Sequence, residues 1–188
     1  MVLPREVDEI TRAFLGLADQ QAPGLVRGLY LRGSLGFGEY FPGSWHELAR
    51  HAITMRGPEL SGRAVWTDDA ALWAYSHANL SSYWAGIADA LAADPAAAAT
   101  DEAAAWCVLG ISRLHHLLAA GSLTSKSGAG RHALTAFGPR WHPIIAEALR
   151  AREHPETPSA FAANLAERGR ETIAFTVMAL AAGLACRL

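Results

Sequence analysis

The amino-acid sequence predicts a mostly α-helical protein of the α+β class, with a small α/β piece over residues 1–66 and an all-helical bundle over residues 67–188. Apolar residues recur at three- and four-residue spacing almost everywhere after residue 67. Strand-compatible runs, by contrast, occur only before residue 66, among glycines and prolines. Helix-start and helix-stop residues (Thr67, Thr100, Ser125, Gly121) punctuate the second part. With 188 residues, 51% of them apolar, the chain is long enough to bury a real core.

In chain order, Val7, Ile10, Phe14, Leu15 and Leu17 predict an amphipathic helix over 4–21 that ends before Ala22-Pro23-Gly24. Leu25, Leu29, Tyr30 and Leu31 predict a short buried strand running into Gly33. Residues 37–44 read as a turn-rich segment closing on Phe41-Pro42-Gly43. A helix over 45–51 and a short strand over 52–55 follow, stopped by Gly57-Pro58. Thr67, followed by Asp68 and Asp69 in a first turn, caps a helix expected to reach about residue 93. Thr100-Asp101 caps a strongly apolar helix over 102–120 that Gly121 ends. Two further helices are expected over 125–137 and 143–152, and a long final one over 158–188, broken near Gly169.

Two motifs carry candidate chemistry. Leu29 to Gly38 reads as a strand delivering a Gly-Ser turn, Gly33-Ser34, whose backbone N–H groups and hydroxyl can hold the outer phosphates of a nucleotide. An ordinary turn accounts for the same residues. Leu123 to Leu134 contains Lys126, the only lysine in the chain, where Ser125 and small residues open a helix. An ammonium beside backbone donors suits a triphosphate, and a solvated lysine at a helix start is the plain alternative.

In this order the two motifs resemble the aminoglycoside nucleotidyltransferases. Gly28 to Gly38 resembles the opening of their nucleotidyltransferase domain. The runs A-W-C-V-L-G-I-S-R-L-H-H-L-L-A-A-G-S-L-T-S-K-S-G-A-G-R-H-A-L and P-R-W-H-P-I-I-A-E-A-L-R, between Trp106 and Arg152, resemble their helical C-terminal domain. The resemblance implies transfer of AMP from ATP, with Mg²⁺, to a hydroxyl of an aminoglycoside such as streptomycin or spectinomycin. It also implies nucleotide-binding roles for Gly33, Ser34 and Lys126, and residues 1–66 become the remnant of a nucleotidyltransferase domain.

One part of the pattern is missing. The family holds Mg²⁺ with an Asp-x-Asp pair on a strand, where residues i and i+2 share a face. In this chain those positions fall on Trp45, His46 and Glu47, in a segment better suited to a helix. The chain therefore reads as internally shortened at about Ser44, with no catalytic and no metal-binding residue to name. Weak or absent transfer activity is expected. The alternatives are a non-catalytic module that binds a nucleotide or an aminoglycoside, and a helical dimerisation module, since lost strands would leave apolar faces to be covered in a homodimer.

Other signals are weaker. His46 and His51 miss the four-residue spacing of a zinc-protease helix, and His115 and His116 diverge by about 100° on a helix. Trp73, Trp84 and Trp106 read as core rather than as a ligand ledge. A net charge of −2 with dispersed arginines argues against nucleic acid. The most apolar run, residues 173–186, is too short to span a membrane. Cys107 and Cys186 lie in apolar helical patterns and no export signal is seen, which together predict a cytoplasmic location.

Overall fold

The structure is a computed structural model, and it describes residues 5–31, 42–60 and 67–187. It divides into two compact units, Met1–Asp68 and Asp69–Leu188.

In the first unit, helix α1 (Arg5–Gln21) precedes a two-stranded antiparallel sheet of β1 (Leu29–Leu31) and β2 (Ile53–Arg56), with α2 (Pro42–His51) between the strands. The strand expected over 25–31 is thus only its last three residues. The four before it include Gly28, where a Cβ would come within 2.9 Å of the Tyr30 ring. Leu29 pairs with Arg56 and Tyr30 with Thr54, a shift that leaves Met55 as the extra residue of a bulge. Arg56 donates two hydrogen bonds to the carboxylate of Asp19, at 2.7 and 2.6 Å, tying β2 to α1. Gly57 turns the chain at φ 101°, where a Cβ would meet the Tyr30 hydroxyl and the Arg27 carbonyl.

The second unit is a helical bundle around α5 (Asp101–Ala120), which packs against α6 (Lys126–Ala136), α7 (His142–Glu153) and α8 (Leu165–Leu184). Thr100 caps α5 by accepting the Ala103 N–H at 3.1 Å, and Asp101 and Glu102 face its positive end. Gly121 ends it in the left-handed conformation, φ 65°. Val108, Leu109 and Ile111 are fully buried there against Ile144, Ile145, Phe175 and Ala179. By length and composition α5 is the one described helix that could cross a membrane, while residues 173–184, the apolar run too short to span one, lie in α8. Here α5 is the central helix of the bundle.

The helix expected to start at a Thr67 cap starts instead at Asp69, which puts Asp68 at the capping position, a role aspartate fills as well as threonine. It runs as α3 (Asp69–Asn79), one π turn (Leu80–Trp84) and α4 (Ala85–Ala93). Ser81 and Ser82 both donate to the Ala78 carbonyl, at 3.0 and 2.9 Å, at the widened turn. The turn drives Leu80 and Trp84 into the core, where glycines make room. A Cβ on Gly183 would meet Leu80 at 2.6 Å, and one on Gly110 the Trp84 ring at 2.7 Å.

The final helix differs from expectation at two points. It begins at Leu165 rather than near residue 158, because Asn164 accepts the Glu167 N–H at 3.1 Å while its amide donates to the Glu167 carboxylate. It also runs unbroken through Gly169, where the missing side chain lets another backbone approach: a Cβ there would lie 2.5 Å from the Pro95 carbonyl oxygen. Gly169→Ala should therefore destabilise the bundle by about 1–3 kcal/mol, since a backbone oxygen cannot rotate away. Urea denaturation followed by tryptophan fluorescence reads this, and a midpoint equal to the parent's would exclude the close approach.

Candidate functional site

Lys126 is the first residue of α6 and is half-buried. The chain folds this way locally because Ser125 adopts an extended conformation and its hydroxyl accepts the Gly128 N–H at 3.0 Å. No acid occupies the first turn of α6. A cation at a helix N-terminus opposes the helix dipole, and further cations reinforce the opposition. Lys126 is held below the ordinary lysine value, first by burial and then by the positive charges of Arg152 and Arg113.

The charges of Arg113 from α5 and Arg152 from α7 thus act on Lys126 at the start of α6. Glu153, the acid on α7 beside Arg152, is engaged by Arg131 at 2.9 Å and by the Ser127 hydroxyl. A phosphate is an anion whose geometry suits several N–H donors, those of a helix N-terminus included. Arg113 and Arg152 were missed by sequence reading. Arg113 lies in the quoted run that contains Lys126, but only the packing of α5, α6 and α7 lets the charges of Arg113 and Arg152 act on Lys126.

Gly33 and Ser34 lie outside the described residues. Positions 45–47, where the Asp-x-Asp pair would fall, are helical within α2, so they do not offer the shared face of a strand. His46 is buried and His51 exposed, which removes the zinc-like near miss. Among the described residues no three His, Cys, Asp or Glu side chains are arranged to hold a metal ion.

A second charged cluster was also missed. Glu147 of α7, 2% exposed, accepts from Arg168 at 3.0 Å, from Arg150 at 3.0 and 3.1 Å and from Ser159 at 2.6 Å. Asp101 accepts from Arg150 at 2.5 Å and from Arg168, whose Nε also donates to the Ala99 carbonyl at 2.6 Å. Every member is partnered, so the cluster reads as a clasp joining the start of α5 to α7 and α8 rather than as a reactive site. In the sequence Asp101 looked like a helix-start charge only. The start of α8 reads Glu167-Arg168-Gly169-Arg170-Glu171, so nothing local singles out Arg168.

The aromatic residues are mostly core, as the spacing suggested. Trp84 is buried and stacks on Trp106 at 5.1 Å, and Trp73 donates to the Leu118 carbonyl at 3.3 Å. Cys107 is buried and its thiol is pushed up to about 11 by burial, too high for a nucleophile.

With this geometry in place, comparison with known proteins identifies the bundle. Residues 76–168 match the family described as aminoglycoside adenylyltransferase, C-terminal domain. The match runs from within α3 to the start of α8 and contains Arg113, Lys126 and Arg152. The chain therefore carries a helical C-terminal domain of the aminoglycoside adenylyltransferase family. No curated protein and no solved structure matches it.

Proposed function

We propose that the helical unit holds the phosphates of a nucleotide, ATP by family resemblance, without efficient transfer of its adenylyl group. The carrying observation is the half-buried Lys126 at the acid-free N-terminus of α6, with the charges of Arg113 and Arg152 acting on it, inside the family-matched segment. Binding of a phosphate there needs only hydrogen bonds and charge. Adenylyl transfer needs in addition a metal and a base for the attacking hydroxyl, and the helical positions 45–47 do not supply them.

The acceptor expected from the resemblance is an aminoglycoside, and the place of action the cytoplasm. Incubation with ATP, Mg²⁺ and streptomycin or spectinomycin should give little or no adenylylated drug by mass spectrometry. Robust product would overturn the reading.

A second reading is a helical dimerisation module. Ile10, Phe14 and Leu17 share one face of α1 and are 70%, 51% and 59% exposed, apolar surface of the kind a second copy would cover. Light scattering at micromolar concentration distinguishes it: a homodimer lost on Phe14→Glu supports pairing through α1, and a monomer excludes it.

A further inference from the structure

Three imidazoles meet where α5 faces α6, in a cluster that no step above uses. The ring of His132, from α6, lies 4.7 Å edge-on from His116 and 6.2 Å from His115, both of α5. His116 is fixed by its Nδ1, which lies 2.9 Å from the Ser122 carbonyl in the segment that joins the two helices. As a carbonyl only accepts, that nitrogen is the protonated donor. His115 Nδ1 and His132 Nε2 are buried and have no hydrogen-bond partner. Phe137, after the end of α6, covers His115 at 4.7 Å and is itself backed by Phe175 of α8 at 5.5 Å.

Among the described residues no counter-ion acts on His115 or His132. The charges acting on His115 are those of His132 and His116, and the one acting on His132 is that of His116. Arg131, next to His132, is turned to Glu153 of α7, and the charge of Arg113, two residues before His115, acts on Lys126. Burial first, and neighbouring imidazoles second, hold both His115 and His132 below the ordinary histidine value. A metal is a poor alternative occupant, because no such three-ligand arrangement is found among the described residues.

We propose that His115 and His132, packed around His116, form a proton-sensitive catch between α5 and α6, closed while His115 and His132 are neutral and released when they are protonated in mild acid. The catch sits on the short segment Gly121–Ser125 that delivers Lys126, so on the phosphate-site reading above it regulates that site. Protonation puts like charges on rings that touch one another and have no acid to pair with, and the cheapest relief is separation of α6 from α5.

The sign of the pH dependence follows from linkage. Rings that bind protons less readily folded than unfolded make the unfolded state the greater proton binder, so stability falls as pH drops below about 6.5. For each such ring the folded-to-unfolded ratio falls by up to about tenfold per pH unit, until the folded value is passed.

The test compares the parent with a His115→Gln, His132→Gln double variant at pH 7.5 and 5.5. Urea midpoints should drop on acidification in the parent and drop less in the variant. Amide exchange over residues 122–136, corrected for intrinsic rate, should rise at pH 5.5 in the parent by about tenfold or more and stay level in the variant. Should the double variant fail to fold, imidazole ¹⁵N spectra of the parent decide instead. The catch requires His115 and His132 to stay unprotonated to a lower pH than an unperturbed imidazole does.

Equal acid sensitivity of parent and variant, or protonated rings with unchanged exchange, would overturn the catch. ATP titrations separate the two readings: absence of binding at both pH values overturns the phosphate site, while the exchange result still supports or overturns the catch.

Discussion

Glu147→Ala is expected to destabilise the helical unit by about 3–5 kcal/mol, because it leaves the buried guanidinium of Arg168 and the partly buried one of Arg150 without their shared carboxylate. Arg168 is 5% exposed, and its other partners are Asp101 and the Ala99 carbonyl. A domain of this size has only about 5–15 kcal/mol of stability in total, so the loss should be plain in urea or thermal unfolding. The effect belongs to the broken pair and not to the carboxylate alone. Glu147→Leu combined with Arg168→Met should therefore lose less than the sum of the two single changes. Strict additivity would show that the side chains are not coupled.

The same clasp sets the acid limit of the fold. Asp101 is held below the usual carboxylate range, chiefly by its hydrogen bond from Arg150. For Glu147 burial pushes upward, but bonds from Arg150, Ser159 and Arg168 together outweigh it, so the net direction is also down. Groups depressed in the folded state contribute stability above their unfolded values, about pH 4, and lose it as pH falls through the folded ones. Loss in this window should vanish in the Glu147, Arg168 double variant to the extent that Glu147 causes it. It lies below the window in which the histidine catch opens, so the two are separable in one titration.

How far the sequence foretold this differs between the two units. In the bundle, local chemistry and tertiary packing agree: Thr100, Ser125 and Gly121 stand where helices start and stop. The final helix was misjudged because Asn164 and Glu167 act as a reciprocal cap only once the chain turns there, and because Gly169 serves a close approach from Pro95 rather than a break. The π turn at Leu80–Trp84 had no local sign, since its cause is the pair of glycines, Gly183 and Gly110, that receive Leu80 and Trp84.

For the candidate site, Lys126 was legible from its capping serine and its place in the family-like segment. Arg113, Arg152 and the third histidine were not, because their meeting depends on which faces of α5, α6 and α7 pack together. Charges and rings distant in sequence give no periodic signal. Gly33 and Ser34 remain readings of the sequence, outside the described residues.

Calorimetric titration of ATP into the parent and into Lys126→Ala tests the phosphate site most directly. Lys126 makes no hydrogen bond to any described residue, so its loss should leave the fold intact while removing a charge-assisted contact worth about 1.5–3 kcal/mol, roughly ten- to a hundredfold in Kd. Because the positive end of α6 and the basic charges on α5 and α7 persist, weakened rather than abolished binding is predicted. ATP binding that is equally tight in the two proteins, or no heat from the parent at millimolar ATP, would contradict the account.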